Sequence, residues 1–277
     1  MGGSIKYLNQ VIAGDCLEVM QDLPDQCVDM VLCDLPYGLS DNPWDQVIDL
    51  DQLWQQYSRV VKSNGVIALT SSGAFTGKLI MSNLQDFKYK IVWIKSRSTN
   101  FLNANKQPLR RHEDICIFYK RQPFYAPQMI PGKPYHRGLR SEQQTGCYGQ
   151  YKPNNSSSPD GYRYPYDIVW YEGDEIDDWF YCKTCDHEKE KSFHPTQKPV
   201  ALGQYLIRSY SKEGDLILDN ACGSGSFLVA AAIENRQFIG IELNRNTFYK
   251  KSQPIDFAEV ARERVKKAMC SGLFNKI

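Results

Sequence analysis

Short apolar runs of strand length recur along this chain, separated by segments of helical period. That alternation limits the fold more than any other feature. Val28-Asp29-Met30-Val31-Leu32-Cys33, Val66-Ile67-Ala68-Leu69-Thr70, Asp114-Ile115-Cys116-Ile117-Phe118-Tyr119, Asp215-Leu216-Ile217-Leu218-Asp219 and Gln237-Phe238-Ile239-Gly240-Ile241-Glu242 each read as a buried strand. Residues 6–12 and 89–95 read as two more. Between them, residues 51–62 carry Leu53, Trp54, Tyr57, Val60 and Val61 at helical spacing, and Asn64-Gly65 is a stop signal. Residues 72–84, 199–211, 227–234 and 257–269 also read as helices, and Asp15 is a natural N-cap for one starting at Cys16. Strands and helices in alternation imply an α/β fold, with a mixed, mostly parallel sheet and helices on both faces.

At 277 residues the chain can hold one large domain with an insertion. Between 122 and 190 the composition turns to Pro, Tyr, Gly, Ser and Asn, and helical periodicity is lost. So long a connection inside a compact domain calls for a function. The expected organisation is two halves of one domain, 1–121 and 193–277, around an insert at 122–192. A net charge of +1 does not announce nucleic acid, although a sum hides any local basic surface. Nine cysteines without a framework spacing suit a reducing compartment. Met1-Gly2-Gly3-Ser4 does not read as a secretion signal, and no apolar run reaches the roughly 18–20 residues of a membrane span. Cys182-Lys183-Thr184-Cys185 has the spacing of half a zinc site, but no second pair accompanies it, and no metal is expected.

Two stations carry chemistry. The strand at 28–33 runs into Asp34-Leu35-Pro36-Tyr37. A carboxylate accepts hydrogen bonds, and Pro36 holds the chain before it extended while keeping its own carbonyl as an acceptor. Tyr37 adds a flat face for stacking. Two acceptors beside an aromatic plate suit the exocyclic amino group of a flat heterocycle. A plain strand-to-turn junction is the other reading of these four residues. The second station is the turn Cys222-Gly223-Ser224-Gly225-Ser226 between a strand and a helix. Its glycines let backbone approach a ligand, and the helix start supplies N–H groups. Glu242 ends the next strand about twenty residues later, the spacing that places an acid on ribose hydroxyls. Together they favour an adenosine-bearing cofactor. No Lys-Ser/Thr pair follows the glycines, so the turn is not a P-loop.

Further motifs join these in a fixed order. Gly14-Asp15-Cys16-Leu17, Asp34-Leu35-Pro36-Tyr37, Phe101-Leu102-Asn103-Ala104, Pro108-Leu109-Arg110-Arg111-His112-Glu113, His194-Pro195-Thr196-Gln197-Lys198-Pro199 and the stretch from Asp219 to Ser226 resemble the β-class of amino-group DNA methyltransferases. The resemblance spans roughly residues 10–120 and 192–243. It implies a single Rossmann-like methyltransferase domain of circularly permuted motif order: catalytic half, target-recognition insert, cofactor turn. It implies S-adenosylmethionine as cofactor. Asp34 and the Pro36 carbonyl would accept from the target amino group, and Tyr37 would stack on a base flipped out of double-stranded DNA. Such an enzyme works by positioning and electrostatics, so Cys33 needs no nucleophilic role. Asp219, with Asp34 bordering it and the backbone of Ala221, Cys222, Gly223, Ser224 and Gly225, would line the methionine end. Glu242 would hold the ribose, Asp15 and Cys16 the adenine, and Thr196 and Lys198 would close over the methionine moiety.

Two positions depart from the family pattern: Asn220-Ala221 stands where Pro-Phe is frequent, and Leu35 where Pro is commoner. An Asp leading the tetrad resembles the adenine-N6 enzymes, whereas cytosine-N4 members more often carry Ser. The expected function is site-specific adenine-N6 methylation. A cytosine-N4 enzyme, an RNA amino methyltransferase and a catalytically silent nucleic-acid-binding subunit are the alternatives. Lys106, Arg110 and Arg111 are candidate DNA contacts, as are Arg137 and Arg140 among the interleaved tyrosines of the insert. His112-Glu113 reads as structural. The resemblance further implies a cytoplasmic, prokaryotic or phage-encoded protein. It leaves open a homodimer, and a cognate restriction endonuclease that shares the system without a stable complex.

Overall fold

The computed structural model describes residues 5–39, 45–139, 144–145, 149–150, 155–169, 197–244, 249–250 and 253–274. The first half contains β1 (Gln10–Ala13), α1 (Cys16–Val19), β2 (Val28–Cys33), α2 (Leu50–Val60), β3 (Val61–Ser71), α3 (Ala74–Ser82), β4 (Phe87–Thr99) and β5 (Arg110–Phe118). Short strands follow: β6 (Tyr135–Leu139), β7 (Gln144–Thr145), β8 (Gly149–Gln150), β9 (Asn155–Ser158) and β10 (Ile168–Val169). The last part contains α4 (Val200–Tyr210), β11 (Leu216–Asp219), α5 (Ser226–Ile233), β12 (Gln237–Glu242), β13 (Tyr249–Lys250), β14 (Gln253–Pro254) and α6 (Phe257–Phe274).

The main sheet runs β1-β12-β11-β2-β3-β5-β4-β10. Neighbours from β1 through β3 are parallel, β5 is antiparallel to both β3 and β4, and β10 lies parallel to β4. Strand alternation accounts for the two-faced core. Met30 and Leu32 pack on one face with residues of α4, α5 and α6. Val31 and Cys33 pack on the other with residues of α1, α2 and α3. The α/β architecture with helices on both faces is the one the sequence implies.

The order of strands decides where a ligand can bind. From β11 the chain steps outward through α5 to β12, and from β2 it steps the opposite way through α2 to β3. β11 and β2 are therefore parallel neighbours, with Ile217 opposite Met30 and Leu218 opposite Val31. The crevice at the carboxyl ends of such diverging strands is where open α/β sheets take ligands. Both stations of the sequence end on that crevice, although 185 positions separate them (34 to 219).

Several boundaries differ from the sequence reading. β1 starts at Gln10 rather than residue 6, because residues 6–9 form turns and Asn9 takes a positive φ of 57°. α2 is capped by Asp49, which accepts from the Gln52 N–H at 2.9 Å, and buries Leu53, Trp54, Tyr57 and Val60. It ends before Asn64-Gly65, as Val61 already enters β3. Gly65 serves that strand instead: a Cβ there would lie 2.7 Å from Val61 Cγ1 and 2.8 Å from the Asp29 carbonyl oxygen. It thus permits close approach beside a register shift in the β2–β3 pairing. β5 begins at Arg110 rather than Asp114, with consequences for the site. Described parts of the 122–192 segment attach to the sheet and to α4: Ile168 and Val169 pair with Val92 and Trp93, and the Ala126 N–H donates to the Ser209 carbonyl at 2.8 Å. Among the described residues no helix is long and apolar enough to cross a membrane.

Candidate active site

A cavity of about 710 Å³ opens at the crevice, within the size range of small-molecule sites. Asp15, Cys16, Asp34, Pro36, Tyr37, Lys198, Asp219, Ala221, Cys222, Gly223, Ser224 and Glu242 all line it. Both stations thus face one space, and Arg110 joins them from the start of β5. Gly225 does not line the cavity. Its φ is 80°, and a Cβ would sit 2.8 Å from Ala261 Cβ, so this glycine lets α6 press against the turn. Thr196, Arg140, Cys182 and Cys185 lie outside the described residues, and Arg137 is described only as part of β6.

On the β11 side, the turn is fixed from behind. Arg264 Nη1 donates to the Ser224 carbonyl at 2.6 Å and reaches Ser226 Oγ at 3.2 Å. Gly223 has a φ of 50°, and nothing lies within 4 Å of a Cβ built there, so its backbone is open to a ligand. Glu242 accepts from the Gly223 N–H at 2.8 Å and the Asn244 N–H at 3.1 Å. Burial still raises its carboxyl above the usual range. Asp15 caps α1 by accepting from the Leu17 N–H at 2.8 Å. Asp219 is buried, and burial, reinforced by Asp34 and Glu242, pushes it up to about 8 despite the hydrogen bonds from the Cys33 thiol and the Ala221 N–H.

Asn220, one of the departures from the family pattern, is also buried. Its Oδ1 accepts from the Tyr57 hydroxyl at 2.6 Å, which ties α2 to the end of β11. Its Nδ2 makes no conventional hydrogen bond and bears on the weakly accepting Cys16 sulfur. An under-used amide donor, a glycine backbone open to the cavity and two acids suit an adenosine-bearing ligand with a charged amino acid end. Tyr57→Phe would strand a buried acceptor. Its expected cost is about 1–3 kcal/mol, read as a lower midpoint in urea unfolding with unchanged m-value.

On the β2 side, Asp34 is the hub of a charged cluster. Its Oδ1 accepts from the Tyr37 hydroxyl at 2.8 Å and from the Thr70 hydroxyl, and its Oδ2 accepts from Lys198 Nζ at 2.7 Å. Lys198 also meets Glu113 Oε2 at 3.2 Å, and Lys95 Nζ meets Glu113 Oε1 at 3.0 Å. Two carboxylates and two ammonium groups make a neutral quartet. Burial alone would neutralise Lys198, but Asp34 and Glu113 outweigh it and raise its pKa above the usual value. Burial would likewise raise Glu113, yet Lys198 and Lys95 hold it below the usual carboxylate range. Burial pushes the Tyr37 phenol well up, with Asp34 and Glu113 adding to it, so Tyr37 stays neutral. Its ring stacks on Phe75 with centroids 5.3 Å apart at 25°, and Lys198 Nζ lies 5.5 Å from the ring centroid. Asp45 closes the following loop by accepting from the Gly38 and Leu39 N–H groups at 2.8 and 2.9 Å. The Cys33 thiol is fully buried, and burial pushes its pKa well up.

Glu113, Lys95, Thr70 and Asp45 are site residues that the sequence reading missed. Glu113 lines the cavity and also holds Lys95 and Lys198. The basic candidates divide. Arg110 lines the cavity and approaches Ser72 Oγ at 3.4 Å, Arg111 donates to the Lys95 carbonyl at 3.2 Å, and Lys106 is exposed.

An open sheet of this order, with acids and a glycine turn at its switch point and a proline-aromatic acceptor station beside them, defines an α/β enzyme that brings an adenosine-type cofactor to a second, planar substrate. The chain belongs to the N6/N4 DNA methylase family, whose model matches residues 28–252. It is similar to the type II methyltransferase M.BglII from Bacillus subtilis, 25% identical over 265 residues that cover 87% of this chain and 67% of that protein. Its fold is that of M1.HpyAVI, solved in complex with SAM, at a TM-score of 0.56 and 20% identity over 92% of this chain and 98% of the other. It is also that of the cytosine-N4-specific PvuII DNA methyltransferase, at a TM-score of 0.55 and 13% identity over 94% and 92% of the two chains.

Proposed function

We propose that this amino-group DNA methyltransferase modifies N6 of adenine in double-stranded DNA, at a specific site, on a base flipped into the cavity. One observation carries the reading: Asp34 and Asp219, from adjacent strands, line the same cavity with Tyr37 and Glu242. Cofactor and target can therefore meet there. The cytosine-N4-specific neighbour shares the fold, so fold does not choose the base. The choice of adenine rests on Asp34 at the head of the tetrad.

S-adenosylmethionine, when bound, supplies an electrophilic methyl group on a sulfonium. Asp219 and the backbone of Ala221 to Ser224 hold its methionine end, Glu242 its ribose, and Asp15 and Cys16 its adenine, with Thr196 added by the sequence motif. An aromatic amino nitrogen is a poor nucleophile, since its lone pair is delocalised into the ring. Asp34 Oδ2 and the Pro36 carbonyl pull on its two hydrogens and favour a pyramidal nitrogen. To do so, the amino group must take over Oδ2 from Lys198. Glu113, 3.2 Å from Lys198 Nζ, retains that ammonium when it leaves Asp34. Tyr37, neutral and fixed through its hydroxyl, keeps the base plane in register. A cognate restriction endonuclease that shares the system without a stable complex belongs to the same proposal, its support being the likeness to a protein named a type II methyltransferase.

The test is transfer of labelled methyl from S-adenosylmethionine to unmethylated DNA, followed by nucleoside analysis. The expected product is N6-methyladenine. Label in N4-methylcytosine would overturn the base assignment, and label in RNA alone would overturn the substrate.

A further inference from the structure

Phe101-Leu102-Asn103 is a motif that the site above leaves without a role. We propose that Phe101 and Leu102 form a wedge that enters the DNA stack beside the target and fills the place of the flipped base. The inference rests on the DNA-methyltransferase reading and adds to it a residue-level device for opening the duplex.

The β4–β5 hairpin overshoots the carboxyl edge of the sheet. Ser71, the last residue of β3, lies opposite Asp114, and β5 continues past it through Glu113, His112, Arg111 and Arg110. At about 3.4 Å per residue, four residues carry the hairpin about 14 Å beyond the edge that holds Asp34. Thr99 and Asn100 on one side of the turn, and Arg110 on the other, line the cavity mouth. The tip is the short 3-10 helix Phe101–Asn103. There Phe101 is 74% exposed and Leu102 83%. Two adjacent large apolar side chains at such exposure are costly to leave in water.

Their presentation is built in. Asn100 takes a left-handed φ of 71° to start the turn. The Asn103 N–H donates to the Asn100 carbonyl at 3.0 Å, and Asn103 Nδ2 to Asn100 Oδ1 at 2.7 Å. The Lys106 and Gln107 N–H groups both donate to the Asn103 carbonyl, at 2.8 and 3.0 Å. A turn this well bonded holds its apolar tip outward rather than folding it under.

Charge selects the partner. Lys106, Arg110 and Arg111 follow the tip within ten positions, basic groups suited to phosphates beside an opened step. Apolar wedges between base steps are a recurrent way to unstack a duplex, and extruding a base costs a few kcal/mol that such a contact offsets. Two side chains are too small a surface to found a stable protein interface, which needs about 1,000 Å² or more.

The experiment first maps the modified base in genomic DNA from a host expressing the wild-type chain. Absence of any modified base there would remove the methyltransferase reading itself. Synthetic duplexes carrying the mapped site then present the target either paired or opposite a mismatched base. The F101A/L102A protein should lose about tenfold or more in kcat/KM on the paired duplex and less than about threefold on the mismatched one. Its thermal midpoint and cofactor affinity should match wild type, as both side chains are exposed. F101Y/L102M, which keeps apolar bulk, should restore paired-duplex activity. Equal loss on both duplexes, or no loss on either, would overturn the wedge. So would a change of oligomeric state in sedimentation, which would assign the tip to a second copy of this chain.

Discussion

Asp34→Ala is expected to lower the rate of methyl transfer by about 10²–10³-fold or more, while S-adenosylmethionine affinity stays within about threefold. The split follows from where the carboxylate points. Asp34 has no hydrogen bond to the glycine turn or to Glu242. Its partners are Tyr37, Thr70 and Lys198, the groups at the target end of the cavity. In the proposed mechanism, loss of Oδ2 removes the acceptor that pulls on the amino hydrogen, a contact that would strengthen only as the nitrogen becomes pyramidal. Such a contact acts on kcat more than on ground-state binding. Asp34→Asn keeps the shape but presents an NH2 where an acceptor is needed, so it is expected to be nearly as impaired. Single-turnover transfer and calorimetric cofactor binding read the two quantities separately. The Asp34 side chain is 25% exposed but Lys198 is only 7% exposed, so removing the carboxylate leaves that buried ammonium to Glu113 alone and should also lower the unfolding midpoint. A fully active Asp34→Ala protein would remove Asp34 from the chemistry.

The same cluster shows how far local sequence reaches. Strands and helices were legible because burial writes a period of two or of about 3.6 into the chain. The ends of β2, β11 and β12 were legible because Asp34, the glycine turn and Glu242 break that pattern at strand termini. Thr70, Lys95 and Glu113 were not. They join the cluster around Asp34 from β3, β4 and β5, Thr70 directly and the others through Lys198, and only the sheet order β2-β3-β5-β4 brings these strands to it. Glu113 looked like a flanking residue because the apolar run begins after it. β5 nevertheless starts at Arg110, and its polar first residues, Arg110 to Glu113, are the stretch that overhangs the site. Lys95 closing the apolar run Ile91-Val92-Trp93-Ile94 is the faint signal that was present. Asn220 marked itself only as a departure from the family pattern, since its partner Tyr57 lies 163 positions away. Gly225 was read as ligand-facing, but a glycine turn carries no label for which glycine serves the ligand and which the helix packing.

Asp219→Asn should stabilise the free protein at pH 8 and abolish tight cofactor binding. In the folded chain the carboxyl is pushed up to about 8, mainly by burial. Unfolded, it titrates near 3.9. Between those values the folded state binds the extra proton. Stability contributed through this group is therefore greatest below about pH 4, declines as pH rises, and levels off above about 8. An amide does not titrate, so the variant escapes that decline. The expected gain at pH 8 is about 1–2 kcal/mol, a few degrees in thermal midpoint, shrinking to nothing by about pH 4. Cofactor binding reverses the sign. An ammonium brought to the methionine end favours the carboxylate, so binding near pH 7 should release close to one proton. Calorimetry in buffers of different ionisation enthalpy counts it. Affinity should rise up to tenfold per unit as pH approaches about 8. It should fall again above, because the cofactor's own amine, titrating near about 7.7–8.0, loses the charge that Asp219 meets. Asp219→Asn should lose the rising limb. A wild-type affinity flat from pH 6 to 8, with no proton released, would show that Asp219 does not meet the ammonium. If the proton is released, the residue that destabilises the free fold is also the one that makes the site selective for a charged methionine end.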